Sequence, residues 1–512
     1  MSAVCSMMPL DHRELDALAW DGWAREQRDQ GARLLSLWGE DARAERSCFT
    51  VYACWMDATG ATLRLAQHDL PPGALHYPGL HECFPVAERL QRAVRDLLGV
   101  QAQGMDTRPW LRHARWGERD YPLRRESSVA VPPGPPQPEA YAFVPVDGDG
   151  VHEVAVGPVH AGVIEPGQFR FSVVGEKILR LEERLGFTHK GVARRFEQLA
   201  PVEGVRLAAR LSGDSAVANA WAYCMALEAL ADAAPPPRAL HLRALLLERE
   251  RLANHLGDIG AIVNDAGFGF GLAQFSRLKE DLLRLNAHAF GARYPFDAVQ
   301  PGGVSVDPES AALALVQRQT EVLTGELARL REILDAHEGL QNRLQSTGRV
   351  APEIARRLGM LGLAGRASGQ SLDLRANPAF APYGGLAVRI AVEQAGDVAA
   401  RLALRLREAQ ESLRLCRELC LGMPAGAVRA ELPESIAPGL APGLALGLVE
   451  GWRGPILIAL RVDAQGRIAR CHAHDPSWQN WPAVEWAVIG DIVPDFPLIN
   501  KSFNLSYSGH DG

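Results

Sequence analysis

The chain has 512 residues, 47% of them hydrophobic and 22% charged, with a formal net charge of -7. That length and apolarity can bury large cores and predict more than one domain, while the acidic balance gives no electrostatic reason for a nucleic-acid partner. The eight cysteines include no Cys-x-x-Cys pair, which argues against a structural zinc site or an iron–sulfur cluster in this chain.

The opening "MSAVCSMMPLDHRELD" has neither a basic stretch nor a long apolar core, so no secretory signal is expected. No apolar run approaches the ~20 residues of a membrane span. The expectation is a soluble, cytoplasmic chain with no span of its own, any membrane contact going through partner subunits. "SCFTVYACW" reads as a strand, "DATG" as a turn and "ATLRLA" as a returning strand. "FPVAERLQRAVRDLLGV" reads as an amphipathic helix with Ala87, Leu90, Val94 and Leu97 on one stripe. Arg89, Arg92 and Arg95 fall largely outside that stripe, and Gly99 ends the helix. "VAVPPGPPQPEA", residues 129–140, carries five prolines and reads as an extended linker.

Beyond it, "VHEVAVGPVH" reads as a strand and "FRFSVVGEKILRLEE" as a hairpin turning at Gly175-Glu176. Helical patterns then run over 216–231, 238–262, 272–290, 308–342, 350–359 and 387–422. Cys416 and Cys420, four apart on the last of these, read as packing thiols. "SIAPGLAPGLALGLVEG" reads as a loop and a short apolar segment, "PILIALRVDAQGRIARCHAH" as strands, and "VPDFPLINKSFNLSYSGHDG" as irregular. The fold class is α+β: a small α/β domain over 1–128, a linker over 129–145, and a mainly helical domain with small sheets over 146–512. No Gly-x-Gly-x-x-Gly follows a strand, so no nucleotide site is expected.

Two short stretches carry the chemistry. "RLSGDSAVAN" sets Ser212 and Ser215 around Gly213 and Asp214, behind Arg210 and ahead of Asn219. Any of Ser212, Asp214 or Ser215 could also serve as an ordinary helix N-cap. "HDPSWQNW" repeats the spacing with Ser477 and Asn480 behind Asp475-Pro476. A polar pair before a helix and another after a strand could converge in space.

The stretch "GPVHAGVIEPGQFRFSVVGEKILRLEERLGFTHKGVARRFEQL" resembles the opening of the large subunit of membrane-bound, group 4 nickel–iron hydrogenases. It also resembles the related 49 kDa subunit of respiratory complex I. In those hydrogenases the motifs R-x-C-G-x-C-x-x-x-H and D-P-C-x-x-C hold the metals. Here the frame is kept and the ligand positions are Ser212, Ser215, Ser477 and Asn480, with Asn219 at the histidine position. Serine hydroxyls are neutral, hard ligands where soft thiolates are needed, so the resemblance implies a site that has lost its nickel. "LLLERERLANHLGDIG", with Glu248, Arg251 and His255 on one helical face, also fits the family. So does "GRASGQSLDLRANPAFAPYG", with Arg366, Asp373 and Arg375. "ERLQRAVRDLLGVQAQGMDTRPWLRHARWGERDYPLRRE" resembles the 30 kDa subunit of complex I, fused to the larger subunit in some bacterial enzymes and in formate-hydrogenlyase-type hydrogenases.

The position of the complex I quinone tyrosine aligns with Gly213. The chain continues past the second motif, so no hydrogenase-style processing is expected. What the resemblance implies is a subunit without a metal or other cofactor of its own, not a hydrogenase by itself. It would work beside an iron–sulfur partner and a membrane ion-translocating arm, with a quinone-like acceptor. His160, Glu165, Asp214 and Asp475 would form a proton relay, and Arg210 and Arg366 would be its charge partners. The rival expectation is a non-catalytic scaffold or coupling subunit.

Overall fold

The computed structural model describes residues 3–5, 7–113, 116–117, 119–127, 141–161, 164–430 and 442–512. The proline-rich stretch 129–140 lies outside them. The first part is a four-stranded sheet covered by helices. Its strands are β1 (Leu10–Glu14), β2 (Arg33–Asp41), β3 (Phe49–Met56) and β4 (Leu63–Asp69), in the order β1-β4-β3-β2. Helix α1 (Ala17–Asp29) lies between β1 and β2, capped by the Asp16 carboxylate on the Ala19 N–H. α2 (Ala87–Leu98) buries Leu90, Val94 and Leu98 and stops where Gly99 turns left-handed, φ +71°.

Two of the α2 arginines outside its apolar stripe, Arg89 and Arg92, are buried as well. Arg89 donates to Glu183 and Glu485 (2.7 and 2.9 Å), and Arg92 to the carbonyls of Arg108 and Pro109 (2.9 and 3.0 Å). Arg89 thereby docks α2 on the second part of the chain, while Arg92 holds the segment that follows the helix.

The second part begins with a three-stranded antiparallel sheet of β5 (Val151–Val156), β6 (Gln168–Val174) and β7 (Lys177–Arg184). The β6–β7 turn is at Gly175-Glu176, with Gly175 at φ +58°. The helical body follows: α3 (Ala216–Leu230), α4 (Pro237–Asp265), α5 (Gly269–Phe290), α6 (Ser310–Ala336) and α7 (Val398–Leu421), with α4 packed along both α5 and α7. A last sheet joins β8 (Gly443–Glu450), β9 (Pro455–Val462) and β10 (Ile468–His474), with Val4–Cys5 parallel to β8. α8 (Ser477–Ala487) and α9 (Phe496–Phe503) end the described chain with a short turn at Ser508–Asp511. Ser36 on β2 lies between His472 and His474 of β10 (2.7 and 3.0 Å), so the apolar core runs across both parts.

Four expectations are corrected. The helix expected over 387–422 starts at Val398. Residues 393 and 396 instead hydrogen-bond to the backbone at 366, 367 and 369, Gly396 is left-handed, and the Asp397 carboxylate caps Ala400. The helix expected over 308–342 breaks at His337, whose Nδ1 accepts the Leu340 N–H and starts a new helix. The apolar segment after Pro442 is β8, buried in a sheet; residues 431–441 lie outside the described ones. The segment expected to be irregular forms α9, because Phe496, Leu498, Ile499 and Phe503 share a buried face with Pro497 in the first turn.

Candidate functional site

Residues 212–215 form an extended residue and one 3-10 turn leading into α3. None of their side chains caps the helix. The N–H groups of Val217 and Ala218 go instead to the Glu250 carboxyl, reaching over from α4 (2.7 and 3.2 Å). Burial pushes that carboxyl up to about 8. With capping supplied from elsewhere, Ser212 and Asp214 are left to other partners.

The Ser212 hydroxyl donates to Asp214 (2.5 Å) and lies 3.1 Å from the Ser506 hydroxyl. The Ser506 N–H donates to Ser477 Oγ (3.0 Å), and the Ser506 Oγ accepts the Gly509 N–H (2.8 Å). Ser506 thereby joins the two motif loops. Around them Arg453, on the turn between β8 and β9, grips both Asp214 oxygens (2.9 and 2.6 Å) and donates to the Asn504 carbonyl (2.6 Å). Trp452 and Asn254 hold the Asp214 carbonyl (2.9 and 2.8 Å).

The two aspartates are driven apart. Burial works to raise Asp214, but the Arg453 pair and the Ser212 hydroxyl outweigh it and hold the carboxyl below its ordinary value. Asp475, which accepts the Ser477 N–H (2.8 Å), is raised by burial beyond what Arg453 restores, with the Asp214 charge adding to the rise.

The remaining expected residues divide. Asn219 donates to the Ser215 carbonyl (2.8 Å). Asn480 pairs with both the N–H and the carbonyl of Leu361 (3.1 Å each), seating that segment on α8. Glu165 accepts the Ser508 N–H (3.0 Å), and His160 packs on Phe169 and Tyr507 with its Nε2 buried and unpartnered. Both therefore reach the 506–508 segment. Arg210 is elsewhere, in an exposed bidentate pair with Asp297 (2.7 Å each). The charge partner of Asp214 is Arg453. Gly213 is exposed, and a Cβ there would meet only Phe296 at 3.8 Å.

Arg366 belongs to a second constellation, fully buried between α4, α7 and residues 362–375. It donates to Glu408 (2.8 and 3.1 Å) and Glu450 (3.0 Å). Arg251 bonds Glu408 (3.2 Å), and Arg375 bonds Glu248 and Asp373. His255 meets Glu408 at 3.1 Å. The helical spacing of Glu248, Arg251 and His255 marks this face in the sequence.

Sequence reasoning missed Arg453, Ser506, Asn504 and Glu250. The one available signal was the run of hydroxyl residues in "NLSYSGHDG". Among the described residues no cluster of three or more His, Cys, Asp or Glu side chains could hold a metal ion, and no helix is long and apolar enough to cross a membrane.

Comparison with known proteins bears on both parts. Residues 16–132 match the respiratory-chain NADH dehydrogenase 30 kDa subunit family, and residues 265–441 its 49 kDa subunit family. Formate hydrogenlyase subunit 5 of Escherichia coli (strain K12) is 30% identical over 496 residues, covering 94% of this chain and 85% of that protein. Hydrogenase-4 component G of the same organism is 27% identical, covering 96% and 84%. An NADH-quinone oxidoreductase subunit of Dehalococcoides mccartyi is 27% identical, covering 68% and 95%. A chain of the membrane-bound sulfane sulfur reductase, an archaeal respiratory membrane complex, shares the fold with a TM-score of 0.67 at 24% identity, covering 72% of this chain and all of that one.

Proposed function

The chain belongs to the family of formate hydrogenlyase subunit 5 and hydrogenase-4 component G, 30 kDa-like and 49 kDa-like parts in one polypeptide, and from that premise we propose a nickel-free subunit of a membrane-associated oxidoreductase complex. Its relatives are subunits of hydrogenases and of complex I-type enzymes. In this reading it sits on the inner face of the membrane, between an iron–sulfur partner and an ion-translocating arm. Electrons reach a quinone-like acceptor from the partner's cluster, and the seam between the two motif loops supplies protons.

One observation carries the reading: the ligand positions Ser212, Ser477 and Asn480 hold hydroxyls and an amide already engaged with neighbouring side chains and backbone. Ser212 gives its proton to Asp214, Ser477 is tied to Ser506, and both ends of the Asn480 amide are taken by Leu361. Four thiolates would bridge soft metals; these neutral oxygens and amides do not fit a nickel–iron centre. What the seam offers instead is two carboxyls that both feel the Arg453 charge, one of them paired with it, and that are pushed in opposite directions. In this reading Asp475 is the carboxyl that exchanges protons, and Asp214 is the fixed charge that helps to raise it.

The test is electron transfer from the complex's donor to a soluble quinone analogue. Asp475→Asn should lower kcat at least tenfold with KM for the quinone little changed. Hydrogen uptake by the wild-type complex would overturn the reading. The scaffold alternative draws on the Arg453–Asp214 pair, which closes the seam on itself; it predicts that Asp475→Asn and Asp214→Asn both leave turnover unchanged.

A further inference from the structure

The buried constellation around Arg366 contains four carboxyls, Glu248, Asp373, Glu408 and Glu450, and three guanidiniums, Arg251, Arg366 and Arg375, with His255 among them. All are 3% exposed or less. The nearby Arg405 is matched by its own partner, Asp258 (2.9 Å). Tyr383 and Ser412 add neutral hydroxyls, both donated to Glu248 (2.7 and 2.6 Å). An unmatched charge is costly in such a place, so electroneutrality asks for one proton more than the arginines supply.

Hydrogen bonding decides where it sits. His255 Nε2 meets Glu408, and its Nδ1 is buried without a partner. A second N–H there would be a donor with nowhere to go, so the imidazole is neutral. Burial likewise lowers its hold on a proton. Glu408 accepts from Arg366 twice, from Arg251 and from His255. Glu248 accepts two bonds from Arg375 and two from hydroxyls. Asp373 accepts three bonds from Arg375. Glu450 has only Arg366 Nη1 at 3.0 Å, shared with the Leu372 carbonyl, and the Leu374 N–H at 3.3 Å.

We propose that Glu450 carries the missing proton, making this network a one-proton storage site built into the turn that holds Arg453. Burial and the neighbouring Asp373 push the Glu450 carboxyl up to about 7. Glu450 is the last residue of β8. Arg251 holds the carbonyls of Glu450 and Gly451 (2.7 and 3.0 Å), and the next two residues, Trp452 and Arg453, both bind Asp214. Loss of the proton leaves one excess negative charge where that turn begins and redraws the pull of Arg251 and Arg366 on it. Only the carboxyl O–H bond is made or broken. The site is independent of whether the chain is catalytic or a scaffold.

Infrared spectra of the full chain in its complex, in H2O and D2O, test this with Glu450→Gln and Glu408→Gln. The wild-type minus Glu450→Gln difference should show the deuterium-sensitive carbonyl band of one protonated carboxylic acid, titrating away as pH rises through about 7. Glu183 and Glu250, both raised to about 8, contribute bands that cancel in that difference. In Glu408→Gln three carboxyls face three guanidiniums, so the Glu450 band should vanish although Glu450 is intact. A difference spectrum without the band, or a band that survives in Glu408→Gln, overturns the proposal.

Thermal unfolding gives a second readout. The raised carboxyl keeps its proton where the unfolded chain has released it, between the ordinary 4.5 and about 7. Wild-type stability relative to Glu450→Gln should therefore fall with rising pH across that window and level off above it. A difference that stays flat across the window also overturns the proposal.

Discussion

The seam of the two motif loops and the network around Arg366 are both polar, and they are built on opposite principles. The seam joins segments hundreds of residues apart through small neutral groups, each bond worth about 1 kcal/mol, around one ion pair whose carboxylate side is partly open to solvent. The network packs seven ionisable side chains and a histidine into a fully buried core, where each charge depends on its neighbours. In the proposed reading such neutral, replaceable contacts stand where the metal was. In a closed set of buried charges the loss of a guanidinium unbalances the carboxyls around it, and so the set fixes the scaffold on which the seam is displayed.

The largest effect should therefore come from the network. Arg366→Met takes from Glu408 two of its hydrogen bonds and the nearer of its two guanidiniums, takes from Glu450 its one side-chain donor, and should cost about 3–5 kcal/mol in denaturant unfolding. A loss below about 1 kcal/mol would mean that the core is less dry than its geometry implies. Ser212→Ala removes the hydroxyl between Asp214 and Ser506 and should cost about 1–2 kcal/mol. Its effect should be non-additive with Ser506→Ala, since the two share one bond.

Asp214→Asn sharpens the comparison through pH. The folded carboxyl is held below its ordinary value of 3.8, so its contribution is fully present above that value and is lost as pH falls through the lower folded value. The variant should be less stable than wild type near neutrality, with the gap closing in acid. Arg210→Ala, which breaks an exposed pair with Asp297, should stay within about 1 kcal/mol. Gly213→Ala should be smallest, within about 0.5 kcal/mol, because a Cβ there meets only Phe296.

The sequence displayed what is local. The face of Glu248, Arg251 and His255 followed from helical spacing, and the two motif frames stood out because their residues lie within a few positions of each other. What it hid are contacts between distant loops. Ser506 is 294 residues from Ser212, and Arg453 is 239 from Asp214; no periodicity marks either. Arg210, the first residue of the first motif, points instead to Asp297. Residues 387–397 continue an amphipathic pattern, yet their backbone is spent on the 366–369 turn, so tertiary hydrogen bonding overrides local preference there. The helix-capping reading of Ser212, Asp214 and Ser215 was sound on propensity and lost to Glu250, supplied from α4.

In the proposed function the motif seam has kept its frame and exchanged its metal for hydrogen bonds. The most direct measurement is nickel and iron content of the native complex, purified through a tag on this chain. The account predicts iron from a cluster-bearing partner and nickel far below one per chain. Nickel at one per chain would contradict it, because Ser212, Ser215, Ser477 and Asn480 would then have to be metal ligands.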